Sequence, residues 1–241
     1  MTLSIGYICI DMSGIVYPRS RVVLPTVEEA RNGKKQLTTT RILKNIHKYY
    51  LILDIDETIL YAREYTPEGL NILKLRPGLL DFLNKLYNHF NIYLFTAGSG
   101  KYAHQMADLI NKHGNRESSY FKGIYSRDHM KLGLDGLYTK CLRKLHEFIM
   151  KDNGEFNKRN SHSRVLYIMN KIHYTVLIDN LIDNMKYQRS NGINIIDFEG
   201  DKDDTCLFIL SDYLLDMSRS NKSVRLFHTE NNHKINKIIK N

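Results

Sequence analysis

The chain is poor in the residues that staple, break or anchor a polypeptide. Of its 241 residues only three are cysteines, Cys9, Cys141 and Cys206. Odd in number and far apart, they argue against the disulfide framework of a secreted protein and for a reducing compartment. Only 4 prolines and 14 glycines are present, which together with ample Ile, Leu and Tyr excludes collagen-like, mucin-like and wholly disordered classes. No apolar run approaches the roughly 18 residues of a membrane span, so no membrane association is expected. The opening MTLSIGYICIDMSGIVYP is apolar but lacks a basic n-region and is broken by Asp11, and no cleaved signal is expected from it. The ten histidines form no H-E-x-x-H pattern or tight pair, so none is assigned to a metal.

What is present describes a globular protein. With 42% apolar residues, the length fits one domain of the larger single-sheet kind or two small ones, and it suffices to bury a core unaided. The net charge of +9 sits mainly at the ends. Residues 1–50 hold eight basic residues against three acidic, and residues 218–241 hold six against one. Such ends attract nucleic acid or an acidic, phosphorylated partner, or they are simply a solvated periphery. No aromatic-interleaved basic stripe or named nucleic-acid motif accompanies them, so a nucleic-acid partner is not favoured.

The middle of the chain alternates. Tyr49 to Leu53 is a short apolar, β-prone run, as expected of a strand buried on both faces. From Pro77 the apolar residues 79, 80, 83, 86 and 87 keep helical spacing, with Pro77 placed to start the helix. Strands follow at Ile92 to Phe95, Phe121 to Tyr125, Tyr174 to Ile178 and Ile193 to Ile196; helices are expected over Lys101 to Lys112, Leu137 to Met150 and Thr205 to Met217. Lys151 to Ser163 is polar and reads as a surface excursion. This alternation predicts an α/β fold, a parallel sheet sandwiched by helices, with its chemistry at the carboxyl ends of the strands.

Those strand ends carry oxygen-rich groups. Asp54 and Asp56 follow the first strand, and alternation sends both to one side of it. Carboxylates that close repel unless a cation or a shared proton relieves them, and a hard cation such as Mg²⁺ suits them. One can then attack phosphorus while the other protonates the leaving oxygen; a solvated turn or helix cap is the plainer alternative. Thr96 ends the second strand ahead of helix-start N–H groups, a ready site for a phosphate oxygen. Gly98-Ser99-Gly100-Lys101 is no P-loop, since Phe95 and Tyr102 stand where that pattern needs Gly and Ser or Thr. The fourth strand ends in Asp179-Asn180, and Lys140 offers the positive charge that a transferring phosphoryl group needs.

In order along the chain, LILDIDETIL, LKLRPGLLDFL, YLFTAGSGKYAHQMADLI, YSRDHM, GLYTKCL, VLIDNL and GDKDDTCLFILSDYL resemble the motifs of one family. It is the RNA polymerase II C-terminal-domain phosphatase and NLI-interacting-factor-like small phosphatase branch of the haloacid dehalogenase superfamily. The resemblance spans about Tyr49 to Met217, with Gly98 where Ser is usual. It implies a haloacid-dehalogenase-like sheet without a large cap, preceded by an extension (1–48) and followed by a basic, partly helical tail (218–241). It further implies Asp54 as a nucleophile forming an aspartyl-phosphate, Asp56 as general acid then base, and Thr96 and Lys140 as phosphate-holding groups. Mg²⁺ would be bound by Asp54, the carbonyl of Asp56 and Asn180; Asp179 would orient Lys140 or a metal-bound water, with Thr58 and Arg127 in support.

Two departures stand out. Between Thr58 and Arg76 lie 17 residues, and Tyr61 to Leu75 is expected to be too short for the whole hairpin element by which such enzymes read a proline beside phosphoserine. Lys140 to Asp179 is longer than usual, and the added stretch with Lys158, Arg159 and Arg164 is expected as a disordered bulge, contact with an acidic substrate being the alternative. The spacing between motifs leaves no room for a cap domain, and an open site favours a macromolecular substrate bound along an extended peptide. The expectation is an intracellular Mg²⁺-dependent phosphoserine/phosphothreonine phosphatase, nuclear or cytoplasmic. A phosphopeptide-binding module of the same fold and a nucleic-acid-end phosphatase are the alternatives. Oligomeric state and organism are not legible.

Overall fold

The structure, a computed structural model, describes residues 49–66 and 69–234. The extension over residues 1–48 lies outside these residues. Five strands build the central sheet: β1 (Tyr49–Leu53), β4 (Phe90–Phe95), β5 (Phe121–Tyr125), β8 (Thr175–Asp179) and β9 (Gly192–Asn194). Their order is β5-β4-β1-β8-β9, every pairing parallel. The chain leaves β1 toward β4 and β5, then crosses to β8 and β9 on the other side. This topological switch point lies beside β1, where ligands of open α/β sheets bind.

Alternation of side chains across each strand separates two cores. Leu51 and Leu53, Ile92 and Leu94, and Val176 and Ile178 face one side. There they meet α1 (Leu79–Leu86), α2 (Gly100–His113), α5 (Cys206–Ser220) and α6 (Val224–Glu230). Ile52, Tyr93, Phe95 and Leu177 face the other side, under α3 (Leu142–Asp152), with Ile172 of α4 (Ser161–His173) packed against that cluster. Both faces of β1 and β8 are therefore buried, which is why these strands read as unbroken apolar runs. Gly78 caps α1 at φ 76°, and a Cβ there would stand 2.7 Å from Phe208 Cζ. The helix accordingly begins two residues after Pro77.

Two expectations need correction. The helix expected from Leu137 begins only at Leu142, because its buried positions, Leu142, Leu145 and Ile149, start there. Residues Tyr138–Thr139 instead form β7, paired antiparallel with β6 (Lys131–Leu132). The polar stretch after Met150 is ordered: Asn160 caps α4, accepting a bond from Ser163 N at 2.9 Å. That helix was missed because Ile168 is its only fully buried residue, which leaves almost no periodic signal. Within the stretch, Lys158 and Arg159 pair with Glu155, and Arg164 Nε donates to the carbonyls of Phe156 and Arg159. Within residues 61–75 the chain pairs β2 (Leu60–Thr66) antiparallel with β3 (Gly69–Leu75). The segment after Met217 is partly helical, as expected, and Val224 and Phe227 of α6 are buried in the main core.

Candidate functional site

β1 ends in the centre of the sheet, and the groups that follow it are held from three directions. Asp54 N donates to Ile178 O at 3.0 Å, which fixes the chain just past the strand. Glu57 then adopts φ 55°, reversing the backbone so that its N–H bonds Leu60 O at 2.8 Å and β2 can begin. Asp54, Thr58, Thr96, Lys140 and Asp179 are all buried.

The centre of the cluster is Lys140. Its Nζ donates to Asp54 Oδ1 at 2.5 Å and to Asp179 Oδ2 at 2.6 Å. Lys140 arrives just after β7, and Gln188 Nε2 donates to its carbonyl at 2.6 Å. Burial alone would pull the ammonium down, but the Asp54 and Asp179 carboxylates outweigh it and leave its pKa raised. Burial pushes the Asp54 carboxyl up against the pull of Lys140, and the nearby Asp179 charge adds to the rise. Asp179 is fixed further by Leu181 N at 2.8 Å and by Asn184 Nδ2 at 3.0 Å from both carboxylate oxygens.

On one side of Asp54, Thr58 Oγ1 stands 3.3 Å from Asp54 Oδ2 and 3.2 Å from Asn180 Oδ1, while Asn180 N donates to that hydroxyl at 3.2 Å. Asn180 Nδ2 also donates to Asp197 at 3.0 Å. On the other side, Asp56 is clamped: Thr96 Oγ1 donates to Oδ2 at 3.2 Å and Tyr102 OH to Oδ1 at 2.5 Å. Burial, then the bond to Asp56, pushes the Tyr102 phenol well above its ordinary range, so it remains a donor. Gly98 N donates to Thr96 Oγ1 at 2.9 Å, and a Cβ on Gly98 would sit 2.9 Å from Tyr102 Cδ1. The glycine that departs from the usual motif thus leaves room for the tyrosine.

The fold therefore gathers Asp54, Asp56, Thr58, Thr96, Lys140, Asp179 and Asn180 at one sheet edge. Arg127 stands apart on the loop after β5, exposed, its Nε donating to Ala97 O at 2.7 Å. Sequence reasoning gave no role to Tyr102, Asn184 or Arg76. Tyr102 lay within a quoted motif, and its position in the first turn of α2 was the available signal. Arg76 is buried, with Nη1 donating to Thr58 O at 3.0 Å and to Ile196 O at 3.1 Å, and its guanidinium pairing with Asp204.

The model of the NLI interacting factor-like phosphatase family matches residues 49–225. The chain belongs to this family. Among curated family relatives, CTD small phosphatase-like protein 3 of Caenorhabditis elegans is 24% identical over 192 residues, covering 74% of this chain and 57% of the relative. The human carboxy-terminal domain RNA polymerase II polypeptide A small phosphatase 1 is 32% identical over 111 residues, 36% of this chain and 42% of that protein. The Drosophila melanogaster phosphatase Herzog is 30% identical over 115 residues, 39% of this chain and 32% of its own length. This NLI interacting factor-like chain thus spans about half the length of such relatives, or less. A solved structure of Fcp1, described as an essential RNA polymerase II CTD phosphatase, aligns at 20% identity and TM-score 0.42, over 80% of this chain and 55% of that one. No helix among the described residues is long and apolar enough to cross a membrane.

Proposed function

We propose that this protein is a phosphoprotein phosphatase that hydrolyses phosphoserine or phosphothreonine through an aspartyl-phosphate on Asp54. The observation that carries the reading is the buried Asp54–Lys140–Asp179 chain, 2.5 and 2.6 Å, beside an Asp56 carboxylate held by two hydroxyl donors. The Lys140 ammonium pulls Asp54 toward its ionised form, against the burial that pushes its carboxyl up to about 7. An ammonium has three protons; two are engaged, and the third is available to a phosphate oxygen. Thr96 and the N–H groups opening α2 are the other donors for that group.

A carboxylate oxygen of Asp54 attacks phosphorus as the bond to the serine or threonine oxygen breaks, and protonated Asp56 gives its proton to that leaving oxygen. Asp56, now a carboxylate, takes a proton from water attacking the aspartyl-phosphate, releasing phosphate and restoring both acids. Thr96 and Tyr102 hold one Asp56 oxygen each and so fix the orientation of the carboxyl between Asp54 and the leaving oxygen. Asp179, fixed by Asn184, keeps Lys140 in place.

A divalent cation fits this donor set. Among the described residues no group of three or more His, Cys, Asp or Glu could hold a metal. Asp54 Oδ2 and Asn180 Oδ1 nevertheless converge on one hydroxyl, that of Thr58, at 3.3 and 3.2 Å. Hard oxygen donors, few in number and completed by water, are what Mg²⁺ takes. Asp54, Asn180 and the Asp56 carbonyl would hold it, and it would neutralise phosphate charge when bound. A relative named as a small phosphatase of the RNA polymerase II carboxy-terminal domain supports a phosphoprotein substrate.

The test is hydrolysis of p-nitrophenyl phosphate at mildly acidic pH, with Mg²⁺ or with EDTA, by the wild type and by Asp54→Asn. Turnover that EDTA and the substitution each remove is expected. A folded, Mg²⁺-supplied wild type that turns over neither this ester nor a phosphopeptide sinks the reading and leaves the binding module in its place.

A further inference from the structure

Large apolar side chains rarely cluster in water without a purpose. Here six stand exposed on two neighbouring segments: Leu132, Leu134, Leu137 and Tyr138 on and between β6 and β7, and Leu181 and Ile182 in the loop after β8. Between the segments lies a cavity of about 500 Å³, lined by Leu137, Tyr138, Leu181 and Ile182 and also by Asn180.

The charge of this cleft narrows its occupant. Asp135 of the hairpin and Lys186 of the loop pair at 2.9 Å, so they cancel each other. Asp183 is the remaining charge on the wall. An uncharged apolar side chain suits such a surface, and an acidic one is repelled by it.

The cleft is continuous with the candidate site. Its hairpin wall runs through Thr139 directly into Lys140, and its loop wall follows Asp179 without a break. Asn180 belongs to both, reaching Asp54 through the Thr58 hydroxyl. An extended chain advances about 3.3–3.6 Å per residue, so a substrate with its phosphate at Asp54 carries a neighbouring side chain over this cleft. Resting on the phosphatase reading above, we infer that the cleft between the β6–β7 hairpin and the loop after β8 is a specificity subsite, taking a large apolar side chain close to the phosphorylated residue of the substrate protein.

The experiment uses two fluorescent peptides bearing a non-hydrolysable phosphonate in place of phosphoserine. One has leucine at the two positions on each side, the other aspartate. Binding is followed by anisotropy with the full chain, its Leu137→Asp variant and its Leu181→Asp variant. Both substituted leucines are more than half exposed, 61% and 55%, so neither supports the core. The wild type should bind the leucine peptide at least about tenfold more tightly, the worth of one buried leucine side chain. Each variant should bring the two affinities within about threefold of each other, on the same scale. Equal affinities in the wild type, or a preference that survives both substitutions, overturns the subsite. Parallel turnover of p-nitrophenyl phosphate separates the two readings. Turnover without the preference removes the subsite alone, and preference without turnover removes the phosphatase.

Discussion

Arg76 and Asp204, separated by 128 positions in the chain, form a bidentate ion pair with N–O distances of 3.0 and 2.7 Å. The same guanidinium holds the Thr58 and Ile196 carbonyls, and Asp204 Oδ1 also accepts Cys206 N at 2.9 Å in the first turn of α5. One pair thus ties the turn after β1, the strand-like segment after β9 and the start of a core helix. Removing its anion strands a buried cation. Asp204→Asn should therefore lower stability by about 3–5 kcal/mol, read as a fall in the urea midpoint. A loss below about 1 kcal/mol would show the pair to be dispensable.

Lys140→Met should abolish turnover and also change how stability depends on pH. Without the ammonium, Asp54 loses the cation that opposed its burial and keeps Asp179 beside it, so its carboxyl holds its proton to higher pH than in the unfolded chain. The folded variant then binds more protons than the unfolded one, so its stability falls as pH rises. The deficit against wild type should be larger at pH 8 than at pH 5 in urea unfolding. A deficit that is the same at both, or larger at pH 5, contradicts the coupling.

Tyr102→Phe removes the donor to Asp56 Oδ1 while leaving Thr96 on Oδ2. Proton transfer by Asp56 needs the carboxyl oriented, so kcat should drop by about tenfold with KM nearly unchanged. A rise in KM with kcat intact would instead assign the tyrosine to substrate binding.

His146 makes the wild type acid-sensitive. Burial, with Lys171 nearby, pushes this imidazole down to about 3 from 6.5, and its Nε2 lies 2.7 Å from Thr175 Oγ1. As the pH falls below 6.5 the unfolded chain takes up a proton that the folded one refuses. Stability present above that pH is therefore lost progressively toward pH 3. Between pH 7.5 and pH 5 the expected loss from this group is about 2 kcal/mol. His228, lowered to about 4 chiefly by burial, acts in the same direction. His146→Phe, which keeps a ring against Tyr50, should lose visibly less stability over that interval than wild type.

Phe227→Ala tests whether the chain beyond Met217 belongs to the folded unit. The ring is buried and meets Tyr213 at 5.2 Å between centroids. Truncation should cost about 3–5 kcal/mol. A cost near zero would return this segment to the status of a tail.

The sequence announced its central strands and its chemistry together, because a parallel strand buried on both faces leaves an unbroken apolar run. β1 and β5 were legible to the residue, and the acidic groups at the ends of β1 and β8 followed directly from where those apolar runs stop. Elements with little burial left no comparable trace: α4 buries only Ile168 fully, and the β6–β7 hairpin keeps its apolar side chains in water. Which distant groups meet was decided by tertiary structure alone. Lys140 reaches Asp54 across 86 positions, and Arg76 reaches Asp204 across 128. Local periodicity records which face of an element is buried, but it carries no information about which buried charge will be its neighbour's partner. That pairing depends on the crossover beside β1, which brings the ends of β4 and β8 to either side of the same aspartate.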